Sequence, residues 1–313
     1  MSGSAAASAG ESGRSSLRTH GRTFHLAHLL LGERAAADVH LLYGFCRFVD
    51  DECDERPIDE ARVALARIRT DLEAGASDEP SLAGYLAFCD THTVDPRVTE
   101  AFLQGVEQDL DLHEYTTEAE LLRYCYRVAG TVGLLMCSLF DVDEPRARAF
   151  AVDLGIGMQL TNICRDVLED AERGRVYVPH ESSGGPLDAA DLVARDAETV
   201  ARARRAVERL LGLATSYYRS ADEGIAFLPR RARPAVLTAS RCYEAIGPRI
   251  LAHPAPGLPR RAHVGTAGKL FHLTRALATA GGIAAARPFR SPRHHGAHLH
   301  VALAGLPGCD VPA

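Results

Sequence analysis

The chain lacks the features that most often settle a class at first reading. Its eight cysteines contain no C-x-x-C pair, which removes the usual zinc and dithiol-redox spacings. Cys46, Cys125, Cys137 and Cys164 fall instead inside apolar helical runs, where they read as small hydrophobes and as reduced thiols of a cytoplasmic protein. The longest apolar stretches, such as 131–140, fall well short of the roughly 20 residues a membrane span needs. The Ser/Gly/Ala-rich start also lacks the charged-then-apolar order of a signal peptide. Basic residues form no block and the net charge is only −6, so no nucleic-acid partner is expected. Alternating β-branched patterns are scarce, and no G-x-G-x-x-G fingerprint occurs.

What remains is a chain of 313 residues, 46% of them hydrophobic, enough to bury a large core in one domain. Apolar residues recur at three- and four-residue intervals, which predicts an all-α bundle. Breaks fall at Gly32, Arg56-Pro57, 78–80, Asp95-Pro96, Thr116-Thr117, 143–145, 174–187, 228–230 and 254–259, leaving about ten helices. Residues 1–15 are small and polar, and 286–313 are rich in His, Gly and Pro with neither helical nor strand period. Both ends are expected to be disordered, and the four tail histidines read as part of a solvated tail rather than a metal tract. The folded domain is expected over 16–285.

Two acidic clusters sit within these apolar helices: DDECD at 50–54 and NICRDVLED at 162–170. Residues four apart share a helix face. Asp50 therefore stacks under Asp54, and Asp166 under Asp170 with Asn162 and Gln159 on the same stripe. Carboxylates roughly 6 Å apart repel by about 0.7 kcal/mol in water and by about 3 kcal/mol at an effective dielectric near 20. A divalent cation reverses that repulsion, and oxygen ligands of this kind suit Mg²⁺, with Mn²⁺ as a substitute, bridging to substrate phosphates. Arg47, Arg165 and Arg175 add permanently charged forks for phosphate oxygens. The facing apolar sides would enclose a cavity that shelters a carbocation from water. The segment 131–140 is expected to wall that cavity, its small residues Gly130 and Gly133 giving a long isoprenoid room to pass. Taken alone, DDECD also fits a solvated acidic helix end, and the second cluster also fits satisfied core polar groups.

The strings HGRTF (20–24), LLYGFCRFVDDECDE (41–55), YCYRVAGTVG (124–133) and LGIGMQLTNICRDVLEDAERGRVYVP (154–179) together resemble the squalene/phytoene synthase family of head-to-head prenyl transferases, over about 18–283. The resemblance implies an all-α isoprenoid-synthase bundle around a central cavity, joining two prenyl diphosphates in two metal-dependent ionisations through a cyclopropylcarbinyl diphosphate. Transferred position by position, it places metal ligands at Asp50, Asp54, Asn162, Asp166 and Asp170, with Asp51 adjacent. Substrate contacts fall at His20, Arg22, Thr23, Tyr43, Arg47, Gln159 and Arg165, with Arg175 and Tyr177 in a flap loop. Tyr124 is implied as the residue that steers rearrangement or proton transfer.

Two geranylgeranyl diphosphates giving phytoene without a redox cofactor is the leading expectation. The rivals are squalene, presqualene diphosphate or dehydrosqualene synthases using farnesyl diphosphate, of which the squalene type needs NADPH, a divergent member that uses another acceptor or cyclises, and a non-catalytic helical scaffold. An apolar product implies a peripheral membrane contact. The chain departs from the family pattern in the Gly/Ser-rich loop HESSGGPLD, at His263-Val264, and at His28 and His40, where apolar residues often line the chain tunnel.

Overall fold

Acid-proline pairs start three of the helices. In a computed structural model of the chain, which describes residues 31–111, 114–254, 257–259, 265–286 and 295–310, Glu79, Asp95 and Glu144 each sit at the N-cap, accept from the backbone N–H two residues on, and precede a proline at the first helical position. The carboxylate satisfies an orphan N–H, and the proline gives up a donor the helix would leave unused. Thr117 and Glu120 close a reciprocal capping box at another start.

The helices run α1 (Glu33–Asp54), α2 (Ile58–Ala74), α3 (Pro80–Thr91), α4 (Pro96–Asp109), α5 (Glu118–Cys125), a π-helical turn (Tyr126–Gly130), α6 (Thr131–Leu139) and α7 (Pro145–Glu172). Then come α8 (His180–Ser183), α9 (Ala189–Ala194), α10 (Ala197–Gly224), α11 (Arg233–Glu244), α12 (Ile246–Leu251) and α13 (Thr266–Ala286). No strand forms among the described residues. The boundaries follow most of the expected breaks, but the single turn α8 in the loop after α7, the π turn and the breaks at Arg195-Asp196 and Ala245 were not foreseen, so thirteen α-helices are described where about ten were expected. None of these helices is long and apolar enough to cross a membrane.

α7 is the central post, packed along α10 and against α6 and the π turn. Its hydrophobic neighbours form one contiguous core from α1 through α12, with a small satellite where α13 meets α11. Two glycines set how close α7 can come. A Cβ on Gly155 would lie 2.2 Å from the Ala129 carbonyl oxygen, and one on Gly133 would lie 2.2 Å from that of Ala151. The space at Gly133 is thus filled by the backbone of α7 and is not the passage for an isoprenoid that the sequence suggested, although Gly133 does border the cavity described below.

The C-terminal tail needs a second correction. Residues 1–30 and 287–294, which hold the expected disordered start and the beginning of the tail, lie outside the described residues, but 295–310 fold onto the bundle. A 3₁₀ segment (Ala297–Leu303) buries Leu299, His300 and Leu303, and Cys309 is buried beyond it. Polar composition hid this docking because the histidines are bound rather than solvated: His295 and His300 each place Nε2 2.8 Å from Asp153 of α7. Burial opposes the charge on Asp153, but the two imidazole hydrogen bonds outweigh it and hold the carboxyl below its usual range.

Replacing Gly155 by Ala should force α7 off the π turn and lower stability by about 2 kcal/mol or more, read as a shift in urea midpoint. Gly212→Ala on α10, where a Cβ meets nothing within 4 Å, should stabilise by about 0.5–1 kcal/mol.

Candidate active site

Three helices end in acid. α1 closes on Asp50 and Asp54, α4 on Asp109, and α7 on Asp166 and Asp170, and none of the three carries a basic residue in its last turn. A helix C-terminus already bears partial negative charge, so carboxylates there are unfavourable unless something cationic meets them. All five line one cleft of about 320 Å³, together with Gln159, Asn162, Arg165, Arg173, Arg175, Tyr124 and Tyr177.

The electrostatics follow from this crowding. Burial, then the charge of Asp54, raises the Asp50 carboxyl to about 7 although Asp50 opens to solvent at the mouth of the cleft. Burial, then the charge of Asp166, raises Asp170 to about 7 as well. Two cationic contacts offset the repulsion. Arg165 of α7 pairs with its neighbour Asp166, its Nε donating at 2.7 Å. Arg175, in the loop after α7, donates across the cleft to Asp54 of α1 at 3.1 Å and so ties the two acidic rims together.

Deeper in, Asp109 accepts from the hydroxyls of Tyr124 at 2.8 Å and Tyr177 at 2.9 Å. Burial raises its carboxyl to about 6 against those two hydrogen bonds. The ring of Tyr124 stacks on that of Tyr177 with centroids 5.3 Å apart, and Tyr115 lies 5.5 Å from Tyr124. Below this cluster an apolar cavity of about 340 Å³ runs between α6, α7 and α11. It shares Val128, Val132, Gln159 and Asn162 with the acidic cleft, so the two spaces adjoin.

Of the residues named from sequence, Asp50, Asp54, Tyr124, Gln159, Asn162, Arg165, Asp166, Asp170, Arg175 and Tyr177 therefore converge. Tyr43, Arg47 and Asp51 do not line the cleft. Arg47 is ion-paired to Asp51 one turn along α1, half-exposed on the flank. His20, Arg22, Thr23, His28 and His263-Val264 lie outside the described residues. Asp109 was missed. No local signal marked it, since Glu107, Gln108 and Asp111 surround it in sequence and read with it as an ordinary solvated helix end.

The donor set fits a divalent cation. Asn162 donates its amide to Gln159 Oε1 at 3.3 Å while its own Oδ1 is buried without a partner. Among the described residues, no three rim carboxylates bring ligand atoms within 4.8 Å of one another. An ion here would therefore complete its shell with substrate oxygens and water, the usual habit of Mg²⁺.

A pH dependence follows. In the ligand-free protein Asp50 and Asp170 hold protons more tightly folded than unfolded, so between about pH 4 and pH 7 stability should fall as pH rises. Thermal unfolding should show this decline and its reversal by millimolar Mg²⁺ above pH 7. Asp50→Asn should flatten the decline and lose most of the metal-induced gain.

Residues 17–267 match the sequence profile of the squalene/phytoene synthase family. The chain is 36% identical to a phytoene synthase of Rhodobacter capsulatus over 267 residues, covering 82% of this chain and 78% of that one. It is 34% identical to a phytoene synthase of Pseudescherichia vulneris, covering 82% and 86%, and 35% identical to one of Cereibacter sphaeroides, covering 92% and 83%. In three dimensions it resembles a dehydrosqualene synthase crystallised with a ligand, at a TM-score of 0.70 and 25% identity, over 86% of this chain and 95% of that one. On this profile and these relatives, and with an acid-rimmed cleft beside an apolar cavity within an all-α bundle, the chain belongs to the squalene/phytoene synthase family of prenyltransferases.

Proposed function

We propose that this protein joins two molecules of geranylgeranyl diphosphate head to head to give phytoene and two diphosphates, with Mg²⁺ and without a hydride donor. The observation that carries the reading is that the acidic cleft and the apolar cavity adjoin, with Gln159 and Asn162 lining both. A charged head and a long apolar tail need those two environments side by side. The names of the relatives from R. capsulatus and P. vulneris support the choice of substrate.

Asp50, Asp54, Asn162, Asp166 and Asp170 would hold the metal, which when bound neutralises the diphosphate as its carbon–oxygen bond breaks. Arg165 and Arg175 are held in ion pairs with Asp166 and Asp54 and turn to the diphosphate oxygens when substrate arrives. The cation left behind is attacked by the 2,3 double bond of the second substrate. Loss of a proton closes the cyclopropane, and the second ionisation begins from that intermediate. The walls of Val128, Val132, Leu154 and Met158 keep water from both cations. The stacked rings of Tyr124 and Tyr177, with their hydroxyls held on Asp109, place electron density at the neck of the cavity, where positive charge develops. The final proton leaves through Tyr124 Oη to Asp109. The eight free thiols support a reducing, cytoplasmic setting, and the apolar product supports a peripheral membrane contact for release.

The test is turnover of labelled geranylgeranyl and farnesyl diphosphates with and without Mg²⁺ and NADPH, the products being separated by chromatography. Phytoene from the C20 substrate with Mg²⁺ alone is expected. Asp166→Asn should cost about a thousandfold or more in kcat, and Tyr124→Phe about a hundredfold with little change in KM. Squalene or a presqualene product from the C15 substrate alone would reassign the enzyme within its family.

A further inference from the structure

The C-terminal segment 295–310 lies beyond the stretch that matches the family profile, yet it is anchored to the catalytic half of the bundle at four places. Arg123 of α5 donates to the Ala302 carbonyl at 2.9 Å, Tyr126 of the π turn to the Pro307 carbonyl at 2.8 Å, and Tyr217 of α10 to the Leu299 carbonyl at 2.8 Å. The fourth anchor is Asp153 of α7, whose two oxygens each take one imidazole, from His295 and from His300. The Asp153–His295–His300 cluster has the composition of a metal site, but its geometry is that of hydrogen bonds. Each Nε2 lies 2.8 Å from one carboxylate oxygen, which is hydrogen-bond distance. His300 also donates Nδ1–H to the Cys309 carbonyl at 3.2 Å, which fixes the ring.

This strap reaches the substrate cavity through one residue. The imidazole of His295 meets the ring of Phe150 edge-on at 5.4 Å, and Phe150 lines the cavity with Phe227, on which it stacks at 6.0 Å. On α7, Asn162 marks the neck and Phe150 lies 12 residues towards the N-terminus, about 18 Å deeper at 1.5 Å per residue. Phe150 is thus near the far end of the cavity, which Ala147, Phe140 and Val142 also line. α10 packs closely against Phe150, since a Cβ on Gly224 would come within 2.3 Å of the Phe150 Cβ, and the ring lies between Phe227 and His295.

We infer that Phe150, backed by His295 of the C-terminal strap and held through Asp153, is the floor of the prenyl cavity and limits the chain length the enzyme accepts. Phe150 is the specificity residue, and His295 and Asp153 are positioning residues. The inference rests on the prenyl diphosphate reading above.

The test compares kcat/KM for C15, C20 and C25 prenyl diphosphates, each with Mg²⁺, in the wild-type chain and in Phe150→Ala, His295→Ala, Asp153→Asn and His295→Gln. Wild type should favour C20 over C25. Phe150→Ala, His295→Ala and Asp153→Asn should each raise the C25:C20 ratio about tenfold or more. His295→Gln, which keeps a donor for Asp153, and His298→Ala at an exposed neighbouring position should leave it unchanged. A general loss of stability would lower all three rates together and leave the ratio alone. An unchanged ratio in Phe150→Ala overturns the floor. An unchanged ratio in His295→Ala and Asp153→Asn, or a stoichiometric metal in the purified wild-type protein, overturns the strap's part in it. Should these two variants fail to fold, His295→Asn and His295→Gln decide, the shorter amide alone shifting the ratio; equal ratios overturn the inference. If the wild type turns over no prenyl diphosphate at all, it is the proposed function that fails.

Discussion

Mutual repulsion of carboxylates gathered at the negative ends of three helices is the constraint on which the rest of this structure turns. α1, α4 and α7 each finish in acid without a basic residue in the last turn. A fold selected for stability alone would place Lys or Arg there. The arrangement persists because Arg175 spans the cleft to Asp54 and Arg165 braces Asp166, and because packing of the apolar sides of the same helices leaves the acids nowhere else to go. The same penalty makes the cleft a trap for cations and, through them, for an anionic head group.

The cavity beneath depends on a different interaction, close backbone approach. α7 can serve as one wall of the acidic cleft, the neck and the deep end of the cavity only because it runs against the π turn and α6 at glycine distance. Beside that contact, Ala151, Leu154 and Met158 of α7 line the apolar space together with Gly133 and Gly155. One helix of 28 residues, about 42 Å long, therefore orders the molecule along its length. Carboxylate oxygens lie near its C-terminus, amides at the neck, aliphatic walls follow, and an aromatic end lies near its N-terminus beside the C-terminal strap.

The tyrosine cluster joins the two regions. Asp109 draws the hydroxyls of Tyr124 and Tyr177 inward, which turns two phenols from α5 and the loop after α7 into one rigid aromatic surface where the polar and apolar spaces meet. A single buried carboxylate so fixes both the geometry and the charge at the place where the reacting carbons would lie.

The sequence by itself determined what depends on neighbours within a turn or two. Acid followed by proline marked the starts of α3, α4 and α7, and the spacing of Gln159, Asn162, Asp166 and Asp170 put them on one stripe. Residues three or four apart share a helix face wherever the helix goes. Only the tertiary structure decided which stripes face each other. It brought Asp109 to the cleft, left Arg47 on the flank with Asp51, filled the gap at Gly133 with the backbone of α7, and buried a polar tail by pairing His295 with Asp153 across 142 residues of chain. Contacts of that kind carry no local period, because whether a polar side chain is solvated or bound depends on what the rest of the chain presents to it after folding.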